Sequence, residues 1–257
     1  MIDPGALVVV LVAASAYAVG VRRLARAGRR WPPSRGAAFA TALAAALVAT
    51  QGPVAADDTE RLTSHMVQHV LLGMVVPLLA VLSAPMTLAL QSGGPATRSW
   101  LRRFLHGRLG RVLANPVVGW MLFGGGMVAL YLTPLLDLAA REPAVHIVVH
   151  VHLVLAGTLF LLPLAGADVL PRAVPFGARL LAVLAAVPFH AFLGLVLLSA
   201  KTPIAPDAYP SLDDQRQAAG ILLASGELLT VSVAAIVFAS WWAADQREAA
   251  RLDRREL

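Results

Sequence analysis

The sequence predicts an all-α integral membrane protein, built as a seven-transmembrane helix bundle. Of its 257 residues, 58% are hydrophobic and only 14% are charged, whereas soluble domains carry about 25% charged residues. The mean hydropathy is +0.71. The apolar residues also fall into seven segments, each close to the length of about 20 residues that a helix needs to cross a bilayer. These segments fill most of the chain, so residues 1–257 are expected to form a single transmembrane domain.

The seven helices are expected in chain order at about 4–22, 36–55, 61–84, 116–137, 143–165, 178–200 and 218–242. The first should be a retained span, because arginines follow its apolar run, whereas basic residues precede that of a signal peptide. The second has the weakest hydrophobic pattern because it is rich in alanine. Segment 85–115 is expected to be a loop with a short amphipathic stretch, SWLRRFLHGRLGRVL, which suits a membrane surface and carries an exposed His106.

The basic residues predict the orientation of the chain. Of the 21 lysines and arginines, 17 lie in the C-terminal tail or in the loops after the first, third and fifth segments, Arg172 and Arg179 among them. Because short basic loops stay in the cytoplasm, the N-terminus of this multi-pass membrane protein should lie outside and the C-terminus in the cytoplasm. The net charge of +6 then reflects topology, so the expected partner is membrane lipid and no nucleic acid.

Six of the seven histidines lie in apolar segments, and all six are expected on the outer side. A histidine in hydrocarbon is costly, so it usually has a partner and often a function. The i, i+4 spacing places His65 and His69 on one face of a helix, and likewise His146 and His150. A rise of about 1.5 Å per residue predicts a layer about 10–15 Å deep that contains His69, His150, His190 and Glu227, with His65 and His146 one turn above.

The chemistry of these residues favours a metal or haem site. The chain has no cysteine, which excludes disulfides, thiolate metal sites and iron–sulfur clusters. Imidazole suits copper and zinc, and zinc also fits histidines with a carboxylate. His152 should point away from the site, while Met66 and Met127 are either thioether ligands or packing residues.

Two rival functions stay open on the residues alone. A membrane haem b protein would ligate haem with two of these histidines, and Gly124, Gly125 and Gly126 would supply room, although ordinary helix packing explains them equally well. A copper or cation transporter would need a polar path through the inner halves of the helices, which are almost free of polar residues. A retinal protein is excluded because the one lysine, Lys201, lies in an outer loop.

Between about residues 60 and 235 the chain resembles the CtaG family of seven-helix cytochrome c oxidase assembly factors, which are associated with caa-type oxidases. The resemblance is carried, in the family's order, by the segments HMVQHVLLGMVVPLLAVLSAP, NPVVGW, YLTPLLD, HIVVHVHLVLAGTLFLLPLAGAD, VPFHAFLGLVLL and DDQRQAAGILLASGEL.

The resemblance implies a protein that is not an enzyme and that helps copper, as Cu(I) or Cu(II), to reach the oxidase. It implies as partners the oxidase subunits and an extracytoplasmic copper donor. The family's metal-ligand pattern falls on His65, His69, His146, His150 and His190, and its other polar positions on Asp137, Asp214, Gln215 and Glu227. Glu227 is then expected to fix a histidine tautomer. Asp137 and Asp214 would either attract cations at the outer mouth or be solvated loop charges.

Overall fold

The computed structural model describes residues 3–171 and 174–256, with side chains up to residue 251. Arg172, counted above in a cytoplasmic loop, lies outside the described residues, as do the side chains of Arg254 and Arg255. A π-helical turn, Leu71–Val75, joins the α-helices Leu62–Val70 and Val76–Leu82. The α-helices are α1 Pro4–Arg26, α2 Pro33–Thr50, α3 Pro53–Ala56, α4 Leu62–Val70, α5 Val76–Leu82, α6 Pro85–Ser92, α7 Pro95–His106, α8 Arg108–Leu113, α9 Pro116–Leu132, α10 Leu135–Arg141, α11 Pro143–Ala165, α12 Phe176–Ser199 and α13 Leu212–Glu256.

Proline marks where many of these helices begin. Its fixed φ suits the first helical turn, where its missing N–H leaves no hydrogen bond unmade. The prolines that begin helices are Pro4, Pro33, Pro53, Pro85, Pro95, Pro116 and Pro143. Three of these helices, α1, α9 and α11, begin at or within a residue of the predicted start of a span.

Within the described residues, five helical segments are long and apolar enough to cross a membrane: Pro4–Arg26, Leu62–Ser92, Pro143–Ala165, Phe176–Ser199 and Leu212–Arg251. A sixth results if α9 and α10, which are bent by 79° relative to each other, form one span. The predicted second span, α2, is not among them. Its first turn contains the charged Arg35 and the rest is mostly alanine, which is only weakly apolar.

The helix ends gather at two opposite ends of the bundle. At the first, here called the histidine end, the backbone N–H of Asp3 before α1 donates to the side chain of Gln51 after α2, over 3.0 Å. The starts of α4 and α13 meet there as well, through Asp214. At the opposite end, Asp168 after α11 accepts hydrogen bonds from Met86 and Thr87 at the start of α6. Successive long helices therefore alternate in direction.

The core lies where α11 packs against α9, α5 and the π-helical turn, and where α12 packs along α13. The π-helical turn lies next to Pro77, whose missing N–H cannot bond the carbonyl of Gly73 four residues earlier. Gly157 of α11 packs against that carbonyl so closely that a Cβ at Gly157 would lie 2.1 Å from it. The close approach draws α11 and its histidines against the helix that carries His65 and His69.

Three predicted boundaries need correction. The fourth helix stops at Leu132 instead of continuing to 137, because Thr133 precedes Pro134 and adopts an extended conformation with φ −133° and ψ 170°. The last helix is longer than predicted at both ends. Segment 85–115 is mostly helical, comprising α6 to α8. His106 at the end of α7 is exposed, as predicted.

Candidate metal centre

The histidines of α4 and α11 meet in the interior of the bundle at the histidine end. His65 and His69 are almost fully buried, with 0% and 2% of their surface exposed. The start of α4 is held by Asp214, whose carboxylate accepts the backbone N–H of Leu62 over 2.6 Å and that of Thr63 over 3.3 Å. His65 follows within one turn, so this interhelix cap positions its backbone.

Three histidines converge closely enough to bind one ion. His65, His69 and His146, here called the histidine triad, each offer a ring nitrogen, and these nitrogens lie within 4.8 Å of one another. The rings of His65 and His69 are 4.0 Å apart between centroids, and those of His65 and His146 are 5.3 Å apart and nearly parallel. Ligands about 2.0–2.1 Å from a tetrahedral metal lie about 3.4 Å from one another, so small side-chain rotations would complete such a site.

The free ring atoms of the triad fit this interpretation. The Nε2 atoms of His65, His69 and His146 are all buried and have no hydrogen-bond partner among the residues that the structure describes. Leaving a buried polar atom unsatisfied costs about 1–3 kcal/mol. The triad therefore carries a cost that a bound cation would remove, and the residues present fit a metal held by imidazole.

Tyr209 contacts the other nitrogen of His65. Its hydroxyl lies 3.1 Å from Nδ1 of His65 and donates a hydrogen bond to the backbone carbonyl of Asp58 over 2.6 Å. Burial raises the pKa of Tyr209 above its ordinary value, so the hydroxyl keeps its proton at neutral pH. Its one proton is used toward Asp58, so His65 must be the donor to Tyr209.

His69 has a similar arrangement with Tyr131 of α9. Nδ1 of His69 lies 3.1 Å from the Tyr131 hydroxyl, which in turn donates to Sδ of Met66 over 3.4 Å. With Nδ1 as the donor, the Nε2 lone pair of His69 is free for a cation. Met66 is fully buried and uses its thioether as a hydrogen-bond acceptor here.

His150 lies beside the triad and is bonded differently. Its ring centroid is 5.6 Å from that of His69, and its Nε2 donates to the side-chain oxygen of Gln68 over 3.0 Å. Gln68 donates in turn to the carbonyl of Ala49 over 2.9 Å. The Nε2 atom of His150 is therefore occupied, unlike those of the triad.

Asp58 brings a carboxylate to the edge of the site. Its Oδ2 lies 3.9 Å from Nε2 of His146, and only 6% of the residue is exposed. Burial raises the pKa of this carboxyl, while the neighbouring His146 opposes the shift. Asp3 also interacts electrostatically with His146 and His150, so the approach to the triad has a negative potential.

His190 lies apart from the triad. Its Nδ1 donates to the carbonyl of Ala186 over 3.2 Å, and the centroids of its ring and that of Phe123 are 5.8 Å apart. Its Nε2 is buried and has no hydrogen-bond partner within the described residues. A cavity of about 10 Å³ beside it has a mainly apolar lining. The structure therefore does not keep His69, His150 and His190 in one group, as the predicted layer had them. His69 lies with His65 and His146, whereas His190 of α12 packs against Gly226 of α13.

Three of the four other predicted residues lie in the first turns of helices, and the fourth lies on the surface. Glu227 is exposed on α13 and interacts electrostatically with His190. Asp137 accepts from the backbone N–H of Ala208 over 3.3 Å, and Gln215, fully buried, joins the carbonyl of Leu197 to the N–H of Ile204. Together with the Asp214 cap, these contacts explain Asp137, Asp214 and Gln215 as ties between helix ends.

The room expected beside Gly124 and Gly126 of α9 is occupied by side chains, whereas Gly125 faces open space. A Cβ at Gly124 would lie 2.9 Å from the ring of Phe189, and one at Gly126 would lie 2.2 Å from Nε2 of His152. His152 donates to the carbonyl of Leu122 over 3.2 Å, so it ties α11 to α9 and points away from the triad. Close helix packing explains Gly124 and Gly126.

Sequence reasoning missed the residues behind the histidines: Tyr209, Tyr131, Asp58 and Gln68. A signal existed for two of them. Gln68 lies within HMVQH, three residues after His65 and on nearly the same helix face, and Tyr131 is an isolated polar group in the apolar α9. No local pattern marks Asp58 or Tyr209, because both lie in loops.

Comparison with known proteins gives one family. The sequence model of the family described as cytochrome c oxidase caa3 assembly factor matches residues 15–244. Uncharacterized proteins of Mycobacterium bovis and Mycobacterium tuberculosis are each 33% identical over 260 residues, which is 95% of this chain and 39% of theirs. One of Mycobacterium leprae is 32% identical over 254 residues, 93% of this chain and 38% of its own length.

The chain thus spans about two fifths of the length of the curated relatives it matches. No solved structure matches it. The family match includes every histidine of the triad and most of each candidate span, and so the chain belongs to the cytochrome c oxidase caa3 assembly factors.

Proposed function

We propose that this chain binds copper in the outer half of a bacterial plasma membrane and assists its delivery to cytochrome c oxidase. His65, His69 and His146 would hold the ion through Nε2, with His150 next to them. The observation that carries the proposal is a group of three histidines whose ring nitrogens lie within 4.8 Å of one another and whose buried Nε2 atoms have no hydrogen-bond partner among the described residues.

The proposed topology has seven spans, with α2 as the second and the bent pair α9–α10 as the fourth. The alternation of helix direction supports it, because α1 and α2 are antiparallel and are joined at the histidine end by Asp3 and Gln51. The arginines after α1 and in α7 lie toward the other end, which would be cytoplasmic by the positive-inside rule. The histidine end would then face outward.

Three imidazoles suit a protein that must bind a metal and then release it. They leave a coordination position open, as sites that exchange ligands do, and a donor or an oxidase subunit would approach there. Asp58 and Asp3 lie on the same side, where their charges would raise the local concentration of cations. The histidines would contribute binding and orientation, and no catalytic step is needed.

The packing of α9 favours a metal ion over haem, since Phe189 and His152 fill the space next to Gly124 and Gly126. Zinc is the remaining rival, because Asp58 offers a carboxylate near His146, and histidines with a carboxylate suit zinc. The choice of copper comes from the oxidase family, whose enzymes contain copper centres.

The test is the metal content of the purified protein, measured by mass spectrometry together with a visible spectrum. Wild-type protein should carry copper and show no Soret band. The double variant His69→Ala, His146→Ala should lose the copper, because only one of the three converging nitrogens remains.

Two single variants serve as controls. His106→Ala removes an exposed histidine of α7, and His152→Ala removes one that points to α9. Both should keep the wild-type copper content. Unchanged copper in the double variant would exclude the triad as the copper site. Zinc in place of copper in the wild type would show that the bound metal is zinc, and a Soret band would support the haem alternative.

A further inference from the structure

One hydroxyl group connects two loops and a triad histidine at the histidine end. Tyr209, only 2% exposed, lies in the connection between α12 and α13. It donates to the carbonyl of Asp58, in the connection between α2 and α4, over 2.6 Å, and lies 3.1 Å from Nδ1 of His65. The two connections and His65 therefore meet at the hydroxyl oxygen of Tyr209.

The hydroxyl of Tyr209 has one proton, and its direction decides which ring nitrogen of His65 is protonated. A carbonyl oxygen accepts and never donates, so the contact of 2.6 Å between Tyr209 and Asp58 uses the single proton of the hydroxyl. Tyr209 can then only accept from His65, whose Nδ1 must carry a proton. A neutral imidazole has one N–H, so the lone pair of Nε2 is free, and this atom is buried with no hydrogen-bond partner in the described part of the chain.

We propose that Tyr209 is a positioning residue that makes His65 ready to bind metal only while the two connections are closed together. This inference rests on the proposed copper site. When the connections separate, Tyr209 loses the Asp58 carbonyl and moves away from His65. His65 then keeps only the backbone of Asp58 as an acceptor, which holds the Nδ1–H tautomer less firmly, and Nε2 becomes protonated in part of the population.

The coupling works in both directions because linkage between two equilibria is reciprocal. Closed connections favour copper binding, and bound copper favours closed connections. A partner that opens the connections would thereby weaken the site that holds its cargo.

The chain contains a matched control at the opposite end of the bundle. Tyr17 also accepts an N–H from a ring, that of Trp31 over 2.9 Å, and donates to a carbonyl, that of Ser83 over 3.0 Å. It is 9% exposed and touches no histidine. Tyr17→Phe therefore removes the same two kinds of hydrogen bond as Tyr209→Phe, without affecting the site.

The first experiment is ¹⁵N NMR of metal-free wild-type protein labelled on histidine, with the His65 signals identified by their loss in His65→Gln. We expect His65 as a neutral ring with the proton on Nδ1. Tyr209→Phe should give a mixture of tautomers, and Tyr17→Phe should leave the His65 signals unchanged. A wild-type His65 protonated on Nε2 overturns the inference, whether or not the variants fold.

The second experiment measures the Kd of copper(I) under reducing conditions. Loss of a hydrogen-bond partner behind a metal ligand typically weakens binding about 10–100-fold, so Tyr209→Phe should raise Kd by that factor and Tyr17→Phe should not. Hydrogen exchange of residues 52–61 should slow on copper binding in the wild type and not in Tyr209→Phe. Equal Kd values for the two variants would overturn the inference.

The two proposals fail separately. If wild-type protein binds no copper, the proposed function fails, while the tautomer of His65 still tests the contact with Tyr209. If copper binds through the triad but Tyr209→Phe leaves both tautomer and Kd unchanged, only the positioning role is lost.

Discussion

Replacing Asp214 with alanine should destabilise the fold far more than replacing its neighbour Asp213. The Asp214 carboxylate accepts the backbone N–H groups of Leu62 and Thr63 over 2.6 and 3.3 Å, and the Thr63 hydroxyl donates to it as well. Loss of an N-cap costs about 0.5–2 kcal/mol, and the charge near a helix start adds about 0.3–1 kcal/mol. Asp214→Ala should therefore cost about 1–3 kcal/mol.

The assay is thermal unfolding in detergent, followed by circular dichroism. For a chain of 150–250 residues, 1 kcal/mol shifts Tm by about 2–4 °C, so Asp214→Ala should lower Tm by about 2–12 °C. Asp214→Asn keeps a neutral acceptor and should fall between the wild type and Asp214→Ala. Asp213 is an exposed residue paired only with Arg216, three positions on, and Asp213→Ala should change stability by less than about 0.5 kcal/mol.

The comparison also separates the capping role of Asp214 from the attraction of cations that the sequence predicted for it. If it served only to attract cations, both variants would unfold like the wild type, and Asp214→Ala would weaken copper binding without affecting Tm. That outcome would refute the capping role derived from the structure.

Two further predictions concern packing and pH. Gly157→Ala should lower Tm, because its Cβ would lie 2.1 Å from the Gly73 carbonyl and this overlap outweighs the gain of about 1 kcal/mol in helix propensity. Gly125→Ala is the control: the added Cβ would meet nothing within 4 Å in the described structure, so this variant should be neutral or stabilising. Equal Tm values for the two variants would contradict the close packing at Gly157. Burial raises the pKa of Asp58, so the folded state binds this proton more tightly. The stabilisation is complete below the unfolded pKa of about 3.9 and is lost as the pH rises through the folded value. Metal-free Asp58→Asn should thus lose less stability than the wild type above about pH 4, and identical pH profiles would refute the shift.

The sequence alone determined most of the helical organisation. Apolar segments of membrane length, and prolines that suit only the first helical turn, located α1, α9 and α11 closely. It located the end of α9 poorly, although Pro134 restricts Thr133, because hydrophobicity continues into α10 and conceals the bend. The helical nature of segment 85–115 was missed for a related reason: α6 becomes evident only through its packing, where Leu88 contacts Gly20 of α1.

The sequence also determined that the histidines form pairs, since i, i+4 spacing fixes a shared helix face. It could not determine which pairs meet. Only the packing of α11 against the π-helical turn, through Gly73 and Gly157, sets the register that brings His146 to His65 and His69 and leaves His190 apart. The residues behind the ligands belong to the tertiary structure as well: Tyr209 and Asp58 are separated by 151 positions in the chain, and contacts of such range leave no periodic signal in the sequence.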